Sequence, residues 1–118
     1  MVGDVLMSRE MMSTSKEQLL RDFVSGWFRA LDLMTECAEE TEQIISRSQG
    51  ISVDELHLIR DGVHLVRLDE NAELLGEGGA ELLEVFTRVH DRMRNYGLID
   101  GQPLLPAFAS SYLPVIDP

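Results

Sequence analysis

A chain of 118 residues with a formal charge of −11 and only 10 Lys and Arg side chains lacks the basic surface on which phosphate-backbone binding rests, because that affinity comes from cations displacing counterions. Apolar residues at 44% and charged residues at 26% place it with folded single domains and exclude a disordered chain. Cys37 is the one cysteine, so neither an intrachain disulfide nor a Cys-based zinc site can form within the chain, which fits a reducing compartment.

Residues 1–14 are rich in Met and Ser and show no sustained period, which predicts a flexible N-terminal leader. The opening MVGDVLMSREMM contains Asp4 and no unbroken apolar core, a poor secretory signal. No stretch approaches the ~18 to 20 apolar residues that span a bilayer. The expectation is a cytoplasmic protein without membrane or nucleic-acid contact.

Thr14 with Glu17, or Ser15 with Gln18, has capping-box spacing. From there Leu20, Val24, Trp27, Leu31, Met34, Ala38, Thr41 and Ile45 step by four and three, with Thr41 the weak member. Phe23, Ala30, Cys37 and Ile44 repeat at seven and widen the stripe on one side, and Phe28 widens it on the other. This pattern predicts one long amphipathic helix to about Arg47, stopped by Gln49-Gly50.

Ser52-Val53-Asp54-Glu55 is the clearest helix start, a capping box with two acids at the N-terminus. A second helix is predicted from there to about Leu75, broken by Gly76, Gly78 and Gly79. On a wheel, Leu56, Ile59, Val63, Val66 and Leu74 share one face, and Leu58, Leu65, Leu68, Ala72 and Leu75 the opposite one. His57, Arg60, His64 and Arg67 form a basic edge between them. A helix apolar on two sides must be sandwiched, by its neighbours or by another chain. Gly62 weakens its interior unless a neighbouring backbone approaches there.

A third helix is predicted from Gly79 or Ala80 to Tyr96, carrying Leu82, Phe86, Val89, Met93 and Tyr96 and ended by Gly97. Early glutamates and late arginines complement its dipole. The tail from Leu98 holds all four prolines among apolar residues, so it is predicted to lie extended on the bundle or on a partner subunit.

The expected fold is all-α: a three-helix antiparallel bundle over 15–97 with a long first helix, followed by the extended Pro-containing tail, 98–118. Helices of such unequal length cannot cover one another, and a second copy is the economical cover. Trp27, Leu31, Met34, Leu58, Leu65, Leu68 and Leu75 are the candidate dimer or partner interface.

Chemistry finds little purchase. The Gly-rich phosphate loop, the nucleophile elbow and His-Glu-x-x-His are missing from the sequence. His57 and His64 are seven apart, whereas two ligands for one metal on a helix want a spacing of four. Asp61 with His64 is the one Asp-x-x-His, short of the paired sets of di-iron helical proteins. Glu36, Glu39, Glu40 and Glu42 read as a solvated helix face. Cys37, beside the apolar stripe and without a basic neighbour, reads as an inert thiol. The expectation is therefore a non-catalytic protein–protein interaction module, an adaptor, small regulator or dedicated chaperone, with no cofactor and no metal. Its partners would be itself and an unidentified protein. The alternative is a sensor that holds an anion, ligand or metal on the edge of His57, Arg60, His64 and Arg67, with Arg88 and Arg92 as further candidates.

Overall fold

The computed structural model describes residues 5–9, 15–76, 79–102 and 107–115. Among them are five α-helices and no strand: α1 (Glu17–Glu36), α2 (Ala38–Gln49), α3 (Val53–Asp61), α4 (Leu68–Leu74) and α5 (Ala80–Asn95), with a 3₁₀ turn at Ser110–Tyr112. The chain divides into two compact units, Met1–Leu65 and Val66–Pro118. No helix among the described residues is long and apolar enough to cross a membrane. Residues 5–9 have no regular secondary structure; most of the predicted leader lies outside the described residues, as does Thr14.

In the first unit, the single long helix predicted to Arg47 is two helices that meet at Cys37, whose φ of −125° and ψ of 51° leave the helical region. Threonine hydroxyls bond back to carbonyls on either side of the junction. Thr35 Oγ1 donates to the Leu31 carbonyl at 3.4 Å, and Thr41 Oγ1 donates to the Cys37 and Ala38 carbonyls at 2.9 and 3.0 Å. Such back-bonds compete with the helix ladder and bend it. Lys16 occupies the N-cap of α1 without a side-chain bond, and Gln18 donates instead to Asp22 Oδ1 at 2.8 Å.

Helix α2 ends where Gly50 adopts φ 69°, and the Ile51 amide reaches back to the Ser46 carbonyl at 3.1 Å. This is the six-to-one bond of a glycine-terminated helix. Two residues later Ser52 opens α3: Ser52 Oγ accepts from the Glu55 amide at 3.2 Å and the Glu55 carboxylate accepts from the Ser52 amide at 2.8 Å. The capping box read in the sequence is present on both sides.

The predicted second helix does not run to Leu75. It stops at Asp61, where the Gly62 and Val63 amides bond three residues back, to Ile59 and Arg60, and tighten the last turn. Gly62 followed by two β-branched valines, Val63 and Val66, makes a poor helix interior. The chain then restarts at Arg67. Its amide donates to Glu70 Oε2 at 2.8 Å, and the Asn71 side chain donates to the Val66 and Arg67 carbonyls at 3.0 and 2.9 Å. These local partners satisfy the backbone of a new N-terminus, so α4 begins there.

In the second unit, α5 matches the predicted third helix to within a residue. Gly79 caps it with φ 69°. At the other end the Gly97 amide bonds Arg94 and the Leu98 amide bonds Met93, each at 2.9 Å, a Schellman ending on Gly97 at φ 67°. Phe108 of the tail lies on the start of this helix, its ring 5.6 Å from that of Phe86 at an edge-to-face angle of 65°. A Cβ on Gly79 would stand 2.7 Å from the Phe108 Cβ, so the left-handed turn and the ring contact both require glycine. Ala109 and Leu113, flanking the 3₁₀ turn, have extended backbone.

Candidate functional site

The buried apolar side chains of the described residues are Leu20, Phe28, Leu31 and Leu56, all in the first unit. Three of them sit on α1. Beside them on the same helix, Leu19, Phe23 and Trp27 are 54%, 59% and 50% exposed, and Leu33 is exposed as well. Val24 and Met34 are intermediate. With 20 residues and ~100° per residue, α1 thus carries two adjoining apolar arcs, one buried and one open. The seven-residue repeat of Phe23, Ala30, Cys37 and Ile44 lies entirely among exposed positions.

Of the interface candidates, Trp27 is on this open arc, Met34 is half-buried at its end, and Leu31 is 5% exposed, in the core. Leu58 on α3 is 74% exposed, Leu65 in the connector is exposed, and Leu68 and Leu75 at the two ends of α4 are half-buried. Because residues 63–67 are not helical, Leu58, Leu65, Leu68 and Leu75 do not form one helix face. No two-sided helix is therefore present over 52–75 to call for assembly. The open arc of α1 takes its place.

The basic edge is divided for the same reason. His57 and Arg60, three apart on one face of α3, both turn to Glu42 of α2: His57 Nε2 lies 3.1 Å from Glu42 Oε2, and Arg60 Nη1 donates to Glu42 Oε1 at 2.7 Å. His64 stands in the connector, and Arg67 is the N-cap residue of α4. The four residues therefore do not line one edge.

Glu42 was grouped in the sequence with Glu36, Glu39 and Glu40 as a solvated face. Those three are exposed, but the Glu42 side chain is only 17% so and ties α2 to α3. Glu42 lies ~200° around the helix from Glu40 but only about 60° from Glu39, so the reach of Arg60 and His57 from α3, not the spacing, sets it apart. A carboxylate on an imidazole is also part of a nucleophile-activating relay. Here the second carboxylate oxygen is taken by Arg60, and among the described residues no hydroxyl or thiol bonds His57. Nor does any group of three His, Cys, Asp or Glu side chains among them stand ready to hold a metal ion. Cys37, at the junction of α1 and α2, is exposed.

The second unit repeats the contrast on α5. Leu82, Leu83, Phe86 and His90 are half-buried, while Val85, Val89 and Met93 form an exposed row and Tyr96 is exposed beyond them. Comparison of the chain with family models, with characterised proteins and with solved structures gives no match.

Proposed function

We propose that this protein is a non-catalytic interaction module that works as a homodimer and offers helix faces to a protein partner. The observation that carries the reading is the open arc of α1, with Leu19, Phe23 and Trp27 half exposed beside a core of four buried apolar side chains. Full exposure of a Leu- or Phe-sized side chain forgoes about 1.5–3 kcal/mol, so a row of half-exposed ones leaves several kcal/mol to be gained by association. Contiguous apolar rows of this kind mark binding surfaces on folded proteins. The charge of −11 disfavours anionic partners such as nucleic acid and steers a basic protein surface toward the chain.

Sedimentation equilibrium of the full chain across a hundredfold concentration range tests the reading. The expected result is a weight-average mass rising from near 13.3 kDa toward twice that value. A mass fixed at 13.3 kDa throughout would overturn it.

A further inference from the structure

The homodimer reading leaves open which surface pairs and in which direction, and both are written on α1. At ~100° per residue, Gly26, Leu19, Ala30, Phe23 and Trp27 occupy an arc of roughly 100° that adjoins the buried arc of Leu20, Leu31 and Phe28. Gly26 stands near the middle of the helix, where glycine is disfavoured, and among the described residues nothing lies within 4 Å of where its Cβ would be. No described neighbour therefore demands a glycine there. A second backbone crossing at that point would.

The far edge of the open arc gives the direction. Asp22 and Arg29 lie there, seven residues apart, opposite in charge and both exposed. Among the described residues Arg29 has no ion-pair partner, and Asp22 accepts only from Gln18. When two copies of a helix pack antiparallel about a two-fold axis, like edge meets like edge. Asp22 of each copy then faces Arg29 of the other, and the axis passes midway between them, next to Gly26. In the same register Phe23 falls near Trp27 and Ala30 of the second copy, and Leu19 near its Ala30 and Leu33, so the open apolar residues of the two copies cover one another. A parallel pair would instead set the Asp22 edge against the partner's core side, leaving both charges unmatched.

We infer that α1 is the dimerisation helix, paired antiparallel with α1 of a second copy, with Gly26 at the crossing and reciprocal Asp22–Arg29 ion pairs on the rim. The inference rests on the homodimer reading and specifies it. The half-open Leu19, Phe23, Trp27 and Leu33 side chains offer roughly 300–400 Å² per copy. With the rim residues the pair covers on the order of 1000 Å², enough for a specific but reversible dimer.

The test uses the full chain, with sedimentation equilibrium for assembly and far-ultraviolet circular dichroism for folding. Gly26→Leu, placed where the chain itself has open space, should keep the helical signal and give a monomer. Asp22→Arg and Arg29→Asp should each weaken the dimer about tenfold, since two rim pairs are lost and like charges face each other. The double variant should recover the original dissociation constant. A wild-type chain that is monomeric overturns the homodimer reading together with this assignment. A wild-type dimer that persists in Gly26→Leu, or single charge changes that the double variant does not repair, overturns the assignment alone.

Discussion

Arg60 on α3 donates to Glu42 on α2 at 2.7 Å, and this pair, with His57 on the other carboxylate oxygen, joins two consecutive helices of the first unit. Glu42 is largely covered, while Arg60 keeps more than a third of its side chain in water. The pair therefore falls between an exposed ion pair, at about 0.2–1 kcal/mol, and a well-formed bond to a charged group, at about 1.5–3 kcal/mol. Glu42→Gln should lower the stability of the chain by about 1–2 kcal/mol in urea denaturation. Glu40→Gln, on the exposed side of the same helix, should change it by less than about 0.5 kcal/mol. Equal effects from the two substitutions would show that the clasp contributes nothing.

The capping box at the start of α3 makes the first unit sensitive to acid. The Glu55 carboxylate accepts from the backbone and side chain of Ser52, and these bonds hold its pKa below the ordinary glutamate range. A carboxyl whose pKa is lowered by folding stabilises the folded chain fully above that range and loses the contribution as pH falls through the folded value. Stability should therefore decline between about pH 5 and pH 3 more steeply in the wild type than in Glu55→Gln. Ser52→Ala removes the acceptor for the Glu55 amide as well and should cost about 1 kcal/mol at neutral pH. Parallel pH profiles for wild type and Glu55→Gln would remove Glu55 as the titrating group.

What was legible in the sequence is local, and what was missed is competition between local signals. Ser52 with Glu55, and Gly50, Gly79 and Gly97 at φ near +70°, are self-contained devices, so α3 and α5 start and α2 and α5 end as read. Apolar period alone misled over 52–75. Two short helices drawn on one wheel give apolar residues on opposing sides, and that excess was itself the sign of a break near Gly62. The restart at Arg67 was also written, in Leu68-Asp69-Glu70, a first turn with two acids and Glu70 at the position that accepts the Arg67 amide. Likewise Thr35 and Thr41 flank Cys37 and bond back to the Leu31 and Cys37 carbonyls, local contacts that the apolar stripe does not register. At the candidate site, the period places Trp27 on the apolar stripe but does not tell that it is half exposed. Glu42 is not legible from spacing, because the exposed Glu39 lies only about 60° from it on the wheel and its partner Arg60 stands on the next helix.

Gly50 and Gly79 share a φ of 69° but not their surroundings, which separates backbone strain from crowding. A Cβ on Gly50 meets nothing within 4 Å, so Gly50→Ala should cost only the left-handed penalty of about 1–2 kcal/mol. On Gly79 it would press on Phe108 Cβ at 2.7 Å and Cγ at 2.8 Å, adding the cost of displacing the ring from Phe86. Gly79→Ala should therefore destabilise the chain by about 1–2 kcal/mol more than Gly50→Ala. In a Phe108→Gly background, which removes the Cβ along with the ring, the gap between the two glycine substitutions should narrow. An unchanged gap there would show that Phe108 does not rest on Gly79.

Ser46 offers a change in the opposite direction. It is 7% exposed on α2, and its hydroxyl is buried without a hydrogen-bond partner among the described residues. Its carbonyl is fully occupied, accepting from the Gly50 and Ile51 amides that end the helix. The side chain therefore bears the cost of desolvating a hydroxyl, about 1–3 kcal/mol, with no bond in return. Alanine fits the same space, removes the buried polar atom and is the better helix former. Ser46→Ala should stabilise the chain by about 1 kcal/mol, partly offset by lost packing of the oxygen. Thermal unfolding at matched concentration would record it as a rise of roughly 4 °C in Tm, between the scales of smaller and larger domains. A fall in Tm would show instead that the hydroxyl is bonded in solution, to a water or to the Glu42 carbonyl one turn earlier.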